Sequence, residues 1–399
     1  MTATVTSGPS GTGRSDTGTS DTGKSNADKS NAVPFTRPPL AAGVAAAVGR
    51  VLDSGWLTSG AECAAFEREL ADYLGVDELV AMASCTQAIE LSLRALRLPA
   101  GSPVLTPSLT FCGALAAIVH AGLRPVLVDI DPDSLVPDPA TVAAATARVG
   151  GVRAMLVCDL GGFPVDVPAL AAAAGLPAEL VVEDAAHGIG GAVTGRGAQA
   201  ACFSFYATKN LPIGEGGAVA TVDPELAEWL RRARLHGMTA DSWRRYLPGG
   251  SWRYDVAEPG FKANLTDLQA AIGRAQLAEL DCWYERRRAL ATRYDAELAE
   301  LLTLPRRVPG HAWHLYQVRT PRRDELAAAL AERGIGHSVH FIPAHQLTGF
   351  AALLGADECA SCPVTDRVAG ELLSLPLYPA LTDRQQSAVI DAVTSVLRR

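Results

Sequence analysis

The sequence predicts an α/β protein in which helices cover both faces of a mostly parallel β-sheet. Between residues 79 and 183, short apolar runs alternate with alanine-rich stretches of helical length. Strands that alternate with helices form parallel sheets, because each crossover helix packs on a face of the sheet. The chain has 399 residues, 48% of them hydrophobic, so it is long enough to bury a large core and to divide into two domains.

The predicted elements alternate regularly through the first half of the folded region. Runs rich in valine and leucine are typical of buried strands, and the alanine-rich stretches between them are typical of helices. Strands are predicted at 79–83, 104–106, 125–129, 154–157 and 180–183, with helices at 86–96 and 111–121.

The second half predicts mainly helices. A continuous helical pattern begins at Asp267 and runs to about Leu302. Beyond it, a helix over 322–333 and a final helix after Thr382 belong to a smaller α+β domain. We therefore predict two folded units, a large domain at 34–275 and a linking helix with a small C-terminal domain at 276–399.

The N-terminal segment is predicted to be disordered. Residues 1–33 contain no aromatic residue and almost no apolar one, and they repeat Ser-Asp-Thr-Gly units. Such a segment buries too little apolar surface to offset the conformational entropy that ordering costs.

Charge and hydropathy exclude several classes of function. The formal net charge is −8, which argues against a general surface for nucleic acid or anionic membranes. No apolar run approaches the roughly 18 residues of a membrane span, and the N-terminus lacks the apolar core of a signal peptide. We expect a cytoplasmic protein that binds any phosphate in a local site.

The eight cysteines are predicted to be reduced thiols rather than a disulfide framework. They are spread through apolar segments of a long chain, where free cysteine packs as a small hydrophobic residue. Cys359 and Cys362 are the only close pair, and a zinc site normally needs two further ligands at suitable spacing. We predict a surface turn there, and no metal site.

Lysine is rare in this chain, and one lysine has an unusual setting. Of four lysines, Lys24 and Lys29 lie in the polar tail, which leaves Lys209 and Lys262 for the folded region. Lys209 lies between two apolar, strand-like runs, where burial favours the neutral amine. A neutral amine is a nucleophile that can form a Schiff base with an aldehyde cofactor.

A carboxylate lies at the end of an earlier predicted strand. The run Leu180-Val181-Val182 is continued by Glu183-Asp184, twenty-five residues before the lysine. Ligands of open α/β sheets bind at the carboxyl ends of the strands. Asp184 and Lys209 are therefore predicted to share a ligand site.

Together these segments resemble the DegT-type sugar aminotransferases, which are pyridoxal-phosphate (PLP) enzymes that act on nucleotide-linked keto-sugars. The resemblance extends over about residues 34–399, and the matching motifs occur in the same order. Each motif is weak alone, but their shared order makes a chance match improbable. The matching stretches are 34–38, 54–60, 106–111, 183–187, 203–205, 208–210, 264–267, 311–314 and 373–377.

The resemblance implies the fold-type I architecture of PLP enzymes, with the cofactor in the large domain. Lys209 would bind the cofactor aldehyde, and Asp184 would keep the pyridine nitrogen protonated. From the residues alone, Asp184 could also be a helix N-cap before Ala185. His187 would bond near the phenolic oxygen and Phe111 would stack on the ring, although both could be packing residues. The predicted catalytic residues are Lys209, Asp184 and His187.

A polar stretch between a predicted strand and helix is suited to the cofactor phosphate. In Ser84-Cys85-Thr86-Gln87, free backbone N–H groups and the positive end of the helix dipole favour an anion. Similar junctions occur in many α/β proteins. The resemblance adds the hydroxyl of Ser204 and the amide of Asn264 from the other subunit, which implies a homodimer with shared active sites.

Other stretches resemble those that surround the sugar nucleotide in the family. Arginine fits a diphosphate through bidentate hydrogen bonds, and aromatic rings fit a base or a sugar face. The arginine- and tryptophan-rich segment at 241–255 is equally compatible with a dimer contact. The predicted substrate contacts are Trp56, Thr58, Arg253, His340 and His345.

The resemblance implies transfer of an amino group from L-glutamate to the keto carbon of a UDP- or TDP-linked keto-sugar. Within the family, the chain most resembles enzymes that aminate C4 of a UDP-linked 4-keto-pentose. The alternatives are a 4-keto-6-deoxyhexose, an amino-cyclitol, and a PLP-binding regulator without turnover. One methyl or hydroxymethyl group changes binding by only ~1–3 kcal/mol, so the sequence leaves the sugar open.

Two positions depart from the family pattern. The pentose enzymes have tryptophan at the position of Phe111, although stacking survives that change. Many members have a His-Tyr or His-Leu-Tyr element where this chain has Cys158-Asp159-Leu160-Gly161-Gly162. The sequence names no replacement for that missing histidine.

Overall fold

A computed structural model describes residues 32–191, 197–239 and 252–398. Its main feature is a seven-stranded sheet surrounded by helices, which confirms the predicted α/β class. The disordered tail predicted at 1–33 falls almost entirely outside the described residues. The strands are β1 (Glu78–Met82), β2 (Pro103–Pro107), β3 (Arg124–Val128), β4 (Ala154–Cys158), β5 (Val181–Asp184), β6 (Ala200–Ser204) and β7 (Gly217–Thr221).

Five strands of this sheet are parallel. Hydrogen bonds join β3, β2, β4, β5 and β6 in that order, all in parallel pairs. Strand β7 lies antiparallel between β6 and β1, with Ala218 opposite both Ala81 and Phe203. All residues of β4, β6 and β7 are buried, because helices cover both faces. The carboxyl ends of the parallel strands therefore meet at one edge, where α/β proteins bind ligands.

The helices of the large sheet begin where side chains satisfy free backbone N–H groups. Asp138 and Thr141 form a capping box, and Ser84 accepts a hydrogen bond from the N–H of Gln87. These caps limit where each helix can start, and so they set where the strand-to-helix turns lie. The helices are α1 (Val44–Ser54), α2 (Ala61–Leu74), α3 (Cys85–Ala95), α4 (Cys112–His120), α5 (Pro139–Arg148), α6 (Val167–Ala174) and α7 (Pro224–Ala233).

The long helix predicted from Asp267 to about Leu302 is wrong in one respect. The structure has two helices, α8 (Asp267–Leu277) and α9 (Leu280–Leu298), separated by a turn at Ala278 and Glu279. The two helices pack in different cores. Ala270 of α8 belongs to the core of the large sheet, and Leu290 of α9 belongs to the C-terminal core. Helical periodicity runs through both, so the sequence shows no sign of this break.

The C-terminal residues form a second core around a two-stranded antiparallel sheet. Its strands, β8 (Tyr316–Arg319) and β9 (Leu372–Leu375), pair with Tyr316 opposite Leu375. Val33, near the start of the described chain, also packs in this core and pairs with Ile335. The remaining helices are α10 (Arg323–Glu332), α11 (Thr348–Leu354), α12 (Ala356–Cys359), α13 (Pro363–Glu371) and α14 (Asp383–Leu397).

Across 32–191, 197–239 and 252–398, the structure contains no helix with both the length and the apolar character needed to cross a membrane.

Candidate active site

A pocket of about 610 Å³ opens at the edge where the parallel strands end. Asp184 is the last residue of β5, Ser204 is the last of β6, and Cys158 is the last of β4. All three line the pocket, together with Lys209 from the loop after β6. The sheet topology therefore brings together residues that are as many as 51 positions apart in the sequence.

Lys209 presents its amine to this pocket. Its backbone N–H bonds to the carbonyl oxygen of Tyr206, within a turn between β6 and β7. Burial lowers the pKa of Lys209, and the nearby Asp184 opposes part of that change. The amine makes no hydrogen bond or ion pair within the described parts of the chain. A partly desolvated amine without a bonded partner is suited to attack a carbonyl carbon.

Asp184 lines the pocket with only 6% of its surface exposed. Its carboxylate accepts a hydrogen bond from the N–H of Ala186, at 3.1 Å. Burial raises the pKa of Asp184, while the Ala186 N–H and the Lys209 charge act in the opposite direction. A turn follows Asp184 rather than a helix, so the structure does not support the helix N-cap alternative.

The start of α3 forms one wall of the pocket. Ser84, Cys85 and Thr86 line the pocket, whereas Gln87 does not. Ser84 Oγ accepts from the N–H of Gln87 at 3.2 Å, which ends the preceding extended segment. Gly217 of β7 lies directly against this turn, because a Cβ there would be 2.5 Å from the carbonyl carbon of Ser84.

Aromatic side chains form a second wall. Phe111 is 56% exposed although it is large and apolar, and it lines the pocket. Its ring centroid lies 5.7 Å from that of Phe341. His340 also lines the pocket, stacks on Phe35 at 5.4 Å, and bonds through Nδ1 to Ser374 Oγ at 2.9 Å. Phe111 therefore has a free face for a planar ligand.

His187 is held in one tautomer. Its Nδ1 accepts the backbone N–H of Gly161 at 3.1 Å, and burial lowers the pKa of His187 well below its ordinary value. A neutral imidazole that accepts at Nδ1 carries its proton on Nε2. The N–H donor comes from the 158–162 segment that departs from the family pattern, and Gly161 has a left-handed φ of 68°.

Several predicted site residues lie outside the pocket lining. Asn264 bonds through its amide nitrogen to Ser59 Oγ at 2.7 Å, beside the loop that carries Trp56 and Thr58. His345 has both ring nitrogens bonded, to Ser108 and to Asp366.

The arginine- and tryptophan-rich segment is described only in part. The guanidinium of Arg253 lies over the ring of its neighbour Trp252 at 5.5 Å. Residues 241–251 of the same segment are outside the described residues. Arg253 itself is not among the residues that line the pocket.

The structure adds pocket residues to which the sequence analysis assigned no role. His314 lies within a stretch quoted for the resemblance, but its motif alone gave no function. Phe35, Thr36 and Thr110 also lie within stretches quoted for the resemblance, whereas Tyr206 and Glu215 had no distinctive sequence signal, because single residues of these types are common in loops. These additional lining residues include Phe35, Thr36, Thr110, Tyr206, Glu215 and His314.

The side chains present fit PLP. Asp184 offers a buried carboxylate for a pyridine nitrogen, Lys209 offers an amine for an aldehyde, and Phe111 offers an open ring face. Thr86 and Ser204 supply hydroxyl groups near the N-terminus of α3, where an anion is favoured. The volume of about 610 Å³ is also in the range of small-molecule sites.

Comparison with known proteins identifies the family of this chain. The DegT/DnrJ/EryC1/StrS aminotransferase family matches residues 40–394. The spore coat polysaccharide biosynthesis protein SpsC of Bacillus subtilis is 39% identical, over 92% of this chain and 97% of its own length.

Solved structures are similar over nearly the whole chain. The putative sugar aminotransferase Spr1654 from Streptococcus pneumoniae, in its PMP form, has a TM-score of 0.83 at 27% identity, covering 92% of this chain and 99% of its own. DesV from S. venezuelae has a TM-score of 0.79 at 38% identity, covering 90% and 95%. The chain therefore belongs to the DegT/DnrJ/EryC1/StrS aminotransferase family, whose members are PLP-dependent sugar aminotransferases.

Proposed function

We propose that this enzyme transfers the amino group of L-glutamate to C4 of a nucleotide-linked keto-sugar, and that its substrate is a UDP-linked 4-keto-pentose. The observation that carries the proposal is the pocket itself, which places the amine of Lys209 and the carboxylate of Asp184 in one cavity. SpsC, the relative from B. subtilis, is named for polysaccharide biosynthesis, and Spr1654 is named a sugar aminotransferase. Both names support a sugar as the amino acceptor.

The residues around the pocket have distinct roles in holding the cofactor. Asp184 keeps a proton on the pyridine nitrogen, because a buried carboxylate beside that nitrogen favours the charged pair. Thr86 and Ser204 bind the phosphate with the N-terminus of α3. Phe111 stacks on the ring, and the Nε2–H of His187 donates to the phenolic oxygen. When bound, PLP withdraws electrons from bonds at the carbon that bears the amino group.

Lys209 acts as the proton carrier of the reaction. Its lowered pKa increases the fraction of neutral amine, so Lys209 can accept the proton from the α-carbon of glutamate. Lys209 would pass that proton to the cofactor carbon that bears the amino group, and in the second half-reaction it would carry a proton from this cofactor carbon to the keto carbon of the sugar. Glutamate leaves as 2-oxoglutarate before the keto-sugar enters, so the kinetics are ping-pong.

The second candidate substrate is a 4-keto-6-deoxyhexose, and Phe111 is the observation that favours it. Phenylalanine is smaller than the tryptophan of the pentose enzymes, and Phe111 is more than half exposed at the pocket. The space left by the smaller ring suits one additional methyl group on the sugar. One such methyl group changes the discrimination between two substrates by about 1–3 kcal/mol.

Neighbouring subunits contribute to each site in this proposal. Trp56, Thr58 and Asn264 lie near one another but outside the pocket of their own chain, which suits residues that reach a partner's pocket. Asn264 then donates its amide N–H to the phosphate bound by the partner. The same arrangement places Trp56 and Thr58 at the sugar nucleotide.

A substrate panel tests the proposal. The purified enzyme, loaded with PLP and supplied with L-glutamate, is assayed with UDP- and TDP-linked 4-keto-pentose and 4-keto-6-deoxyhexose. The highest kcat/KM is expected for the UDP-linked pentose. A tenfold preference for the hexose would replace the pentose assignment, and no reaction with any of the four would refute sugar amination at C4.

A further inference from the structure

His314 lines the same pocket as Lys209. Asn210, the residue after Lys209, forms a hydrogen bond with the imidazole ring of His314. Asn210 is buried, and its amide nitrogen donates to the carbonyl oxygens of Ile189 at 3.1 Å and Ala312 at 2.9 Å. Because both N–H groups are used, the group that faces His314 Nδ1 at 3.2 Å is the amide oxygen. The amide oxygen only accepts, so His314 carries a proton on Nδ1.

The second nitrogen of His314 is an acceptor. Burial lowers the pKa of His314 well below its ordinary value, and the charges of Lys209 and Arg287 act in the same direction. The ring is therefore neutral, and with Nδ1 protonated its Nε2 has a lone pair. Nε2 makes no hydrogen bond within the described parts of the chain. This nitrogen can accept a hydrogen bond, and the lowered pKa of His314 disfavours its protonation.

His187 and His314 offer a ligand opposite hydrogen-bonding groups, a donor and an acceptor. Their ring centroids lie 4.3 Å apart, and both residues line the pocket. Gly161 fixes His187 as a donor at Nε2, whereas Asn210 fixes His314 as an acceptor at Nε2. A site with one fixed donor and one fixed acceptor selects ligands whose groups match both.

We propose that His314 Nε2 accepts a hydrogen bond from a hydroxyl group of the keto-sugar, and that it is a binding residue for the sugar alone. This inference rests on the proposed function. The two substrates differ in the hydrogen-bond donors that they can offer to His314 Nε2. The only nitrogen of glutamate is the atom that is transferred. The carboxylates of glutamate are ionised at neutral pH, so they have no hydrogen to donate. A sugar has several hydroxyl groups, so only the second substrate can use this acceptor.

The expected loss follows from the cost of an unmatched hydroxyl group. A buried hydroxyl that loses its acceptor costs enough to slow the sugar step by about 10- to 100-fold. The glutamate step should change by less than about threefold, because it does not use Nε2. This split between two half-reactions is the signature of the proposed role.

The test compares His314→Phe with the wild-type holoenzyme in separate half-reactions. The first is followed by the loss of the PLP absorbance band after glutamate is added. The second starts from the pyridoxamine phosphate form and is followed by return of that band with keto-sugar. Loss confined to the sugar step supports the proposal. Equal loss in both steps overturns it and assigns His314 to the cofactor or Lys209, and no loss in either also overturns it.

Two further variants control for packing. His311→Phe changes a buried histidine of the same segment, whose Nδ1 accepts the Trp313 N–H and which does not line the pocket. The His311→Phe variant should not slow the sugar step selectively relative to the glutamate step. His314→Gln keeps a side-chain oxygen that can accept, so it should recover at least part of the sugar step; recovery no better than with phenylalanine would count against the proposal.

A test on the unmodified protein is independent of folding. Wild-type enzyme is given keto-sugars that each lack one hydroxyl group. One analogue should lose about the same factor as His314→Phe, and equal rates for all analogues would overturn the inference. If wild-type enzyme reacts with neither glutamate nor any keto-sugar, the proposed function fails instead. The two failures are thus distinguishable.

Discussion

At the residue scale, the proposed chemistry rests on one lysine and one aspartate, and burial shifts the pKa of both. The pKa of Lys209 is lowered and that of Asp184 is raised, in each case chiefly because the pocket removes water from the charged form. Each group also stabilises the charge of the other. A bound pyridinium nitrogen beside Asp184 would favour the carboxylate further.

Replacing Lys209 with alanine should abolish covalent attachment of PLP and transamination. The fold should be retained, because the amine makes no hydrogen bond within the described residues. Borohydride reduction of the wild-type holoenzyme, followed by peptide mapping, should place the pyridoxyl label on Lys209. Lys262 is the internal comparison, since its amine is already bonded to Asn264 at 2.6 Å. A label on Lys262 instead would refute the assignment.

Replacing Asp184 with asparagine should leave PLP bound but lower kcat by about a hundredfold or more, because a neutral amide cannot keep the pyridine nitrogen protonated. The matched control is Asp166→Asn, the same chemical change at a cap where Asp166 accepts from the Ala169 N–H. Asparagine caps a helix about as well, so the control should keep its activity. Steady-state kinetics at saturating PLP decides. Similar kcat for Asp184→Asn and wild type would show that the carboxylate has no role in the chemistry.

At the element scale, the start of α3 depends on how closely β7 approaches it. Gly217 leaves no room for a side chain beside Ser84 and the backbone nitrogen of Cys85. The N–H groups of this turn are the proposed phosphate site, so their position depends on a glycine of β7, which lies beside β1 in the sheet although it is the last of these strands along the chain. A similar close contact occurs at Gly113, where a Cβ would lie 2.8 Å from Thr86 Oγ1.

Replacing Gly217 with alanine should displace the start of α3 and weaken PLP binding. Overpacking of this kind costs about 1–3 kcal/mol, so both the melting temperature and the affinity for PLP should fall. Gly49→Ala is the control, because Gly49 lies within α1 and a Cβ there meets nothing within 4 Å. That change should preserve affinity and raise stability slightly. Unchanged PLP affinity in Gly217→Ala, measured by absorbance titration, would contradict the expectation.

At the scale of the whole molecule, the pocket is built from both parts of the chain. The large sheet supplies Asp184 and Ser204, and the C-terminal segment supplies His314 and His340. The cluster of Trp56, Thr58 and Asn264 described above lies outside this pocket. In a dimer, this cluster could contribute residues to the pocket of the partner subunit.

Hybrid dimers test whether Asn264 acts in the partner's site. A Lys209→Ala chain is mixed with an Asn264→Asp chain, whose negative charge should repel the phosphate. If Asn264 acts across the interface, each hybrid dimer combines both defects in one site and leaves the other intact. Activity should therefore return to about that of one wild-type site per hybrid dimer. Each homodimer alone is the control.

Subunit exchange must be demonstrated independently, for example with two affinity tags on the two chains. If hybrids form and activity does not return, both sites are defective. That result would place Asn264 in the site of its own chain or outside the site.

The sequence by itself determined the α/β class and the family, and it predicted the candidate residues with the most specific chemistry. Lysine is rare here, so Lys209 is conspicuous, and Asp184 ends a strand whose apolar run is clear. Strand patterns and motifs of this kind are local properties of the chain. These local patterns can be recognised in the sequence without knowing which residues pack against them.

Only the tertiary structure decided the tautomers of the pocket histidines, the break between α8 and α9, and the placement of Asn264 outside its own chain's pocket. Each of these depends on contacts between residues far apart in the sequence. Gly161 reaches His187 from twenty-six residues away, and Asn210 meets His314 across 104 residues. Sequence periodicity carries no record of such contacts, because a hydrogen bond depends on distance in space and not on spacing along the chain.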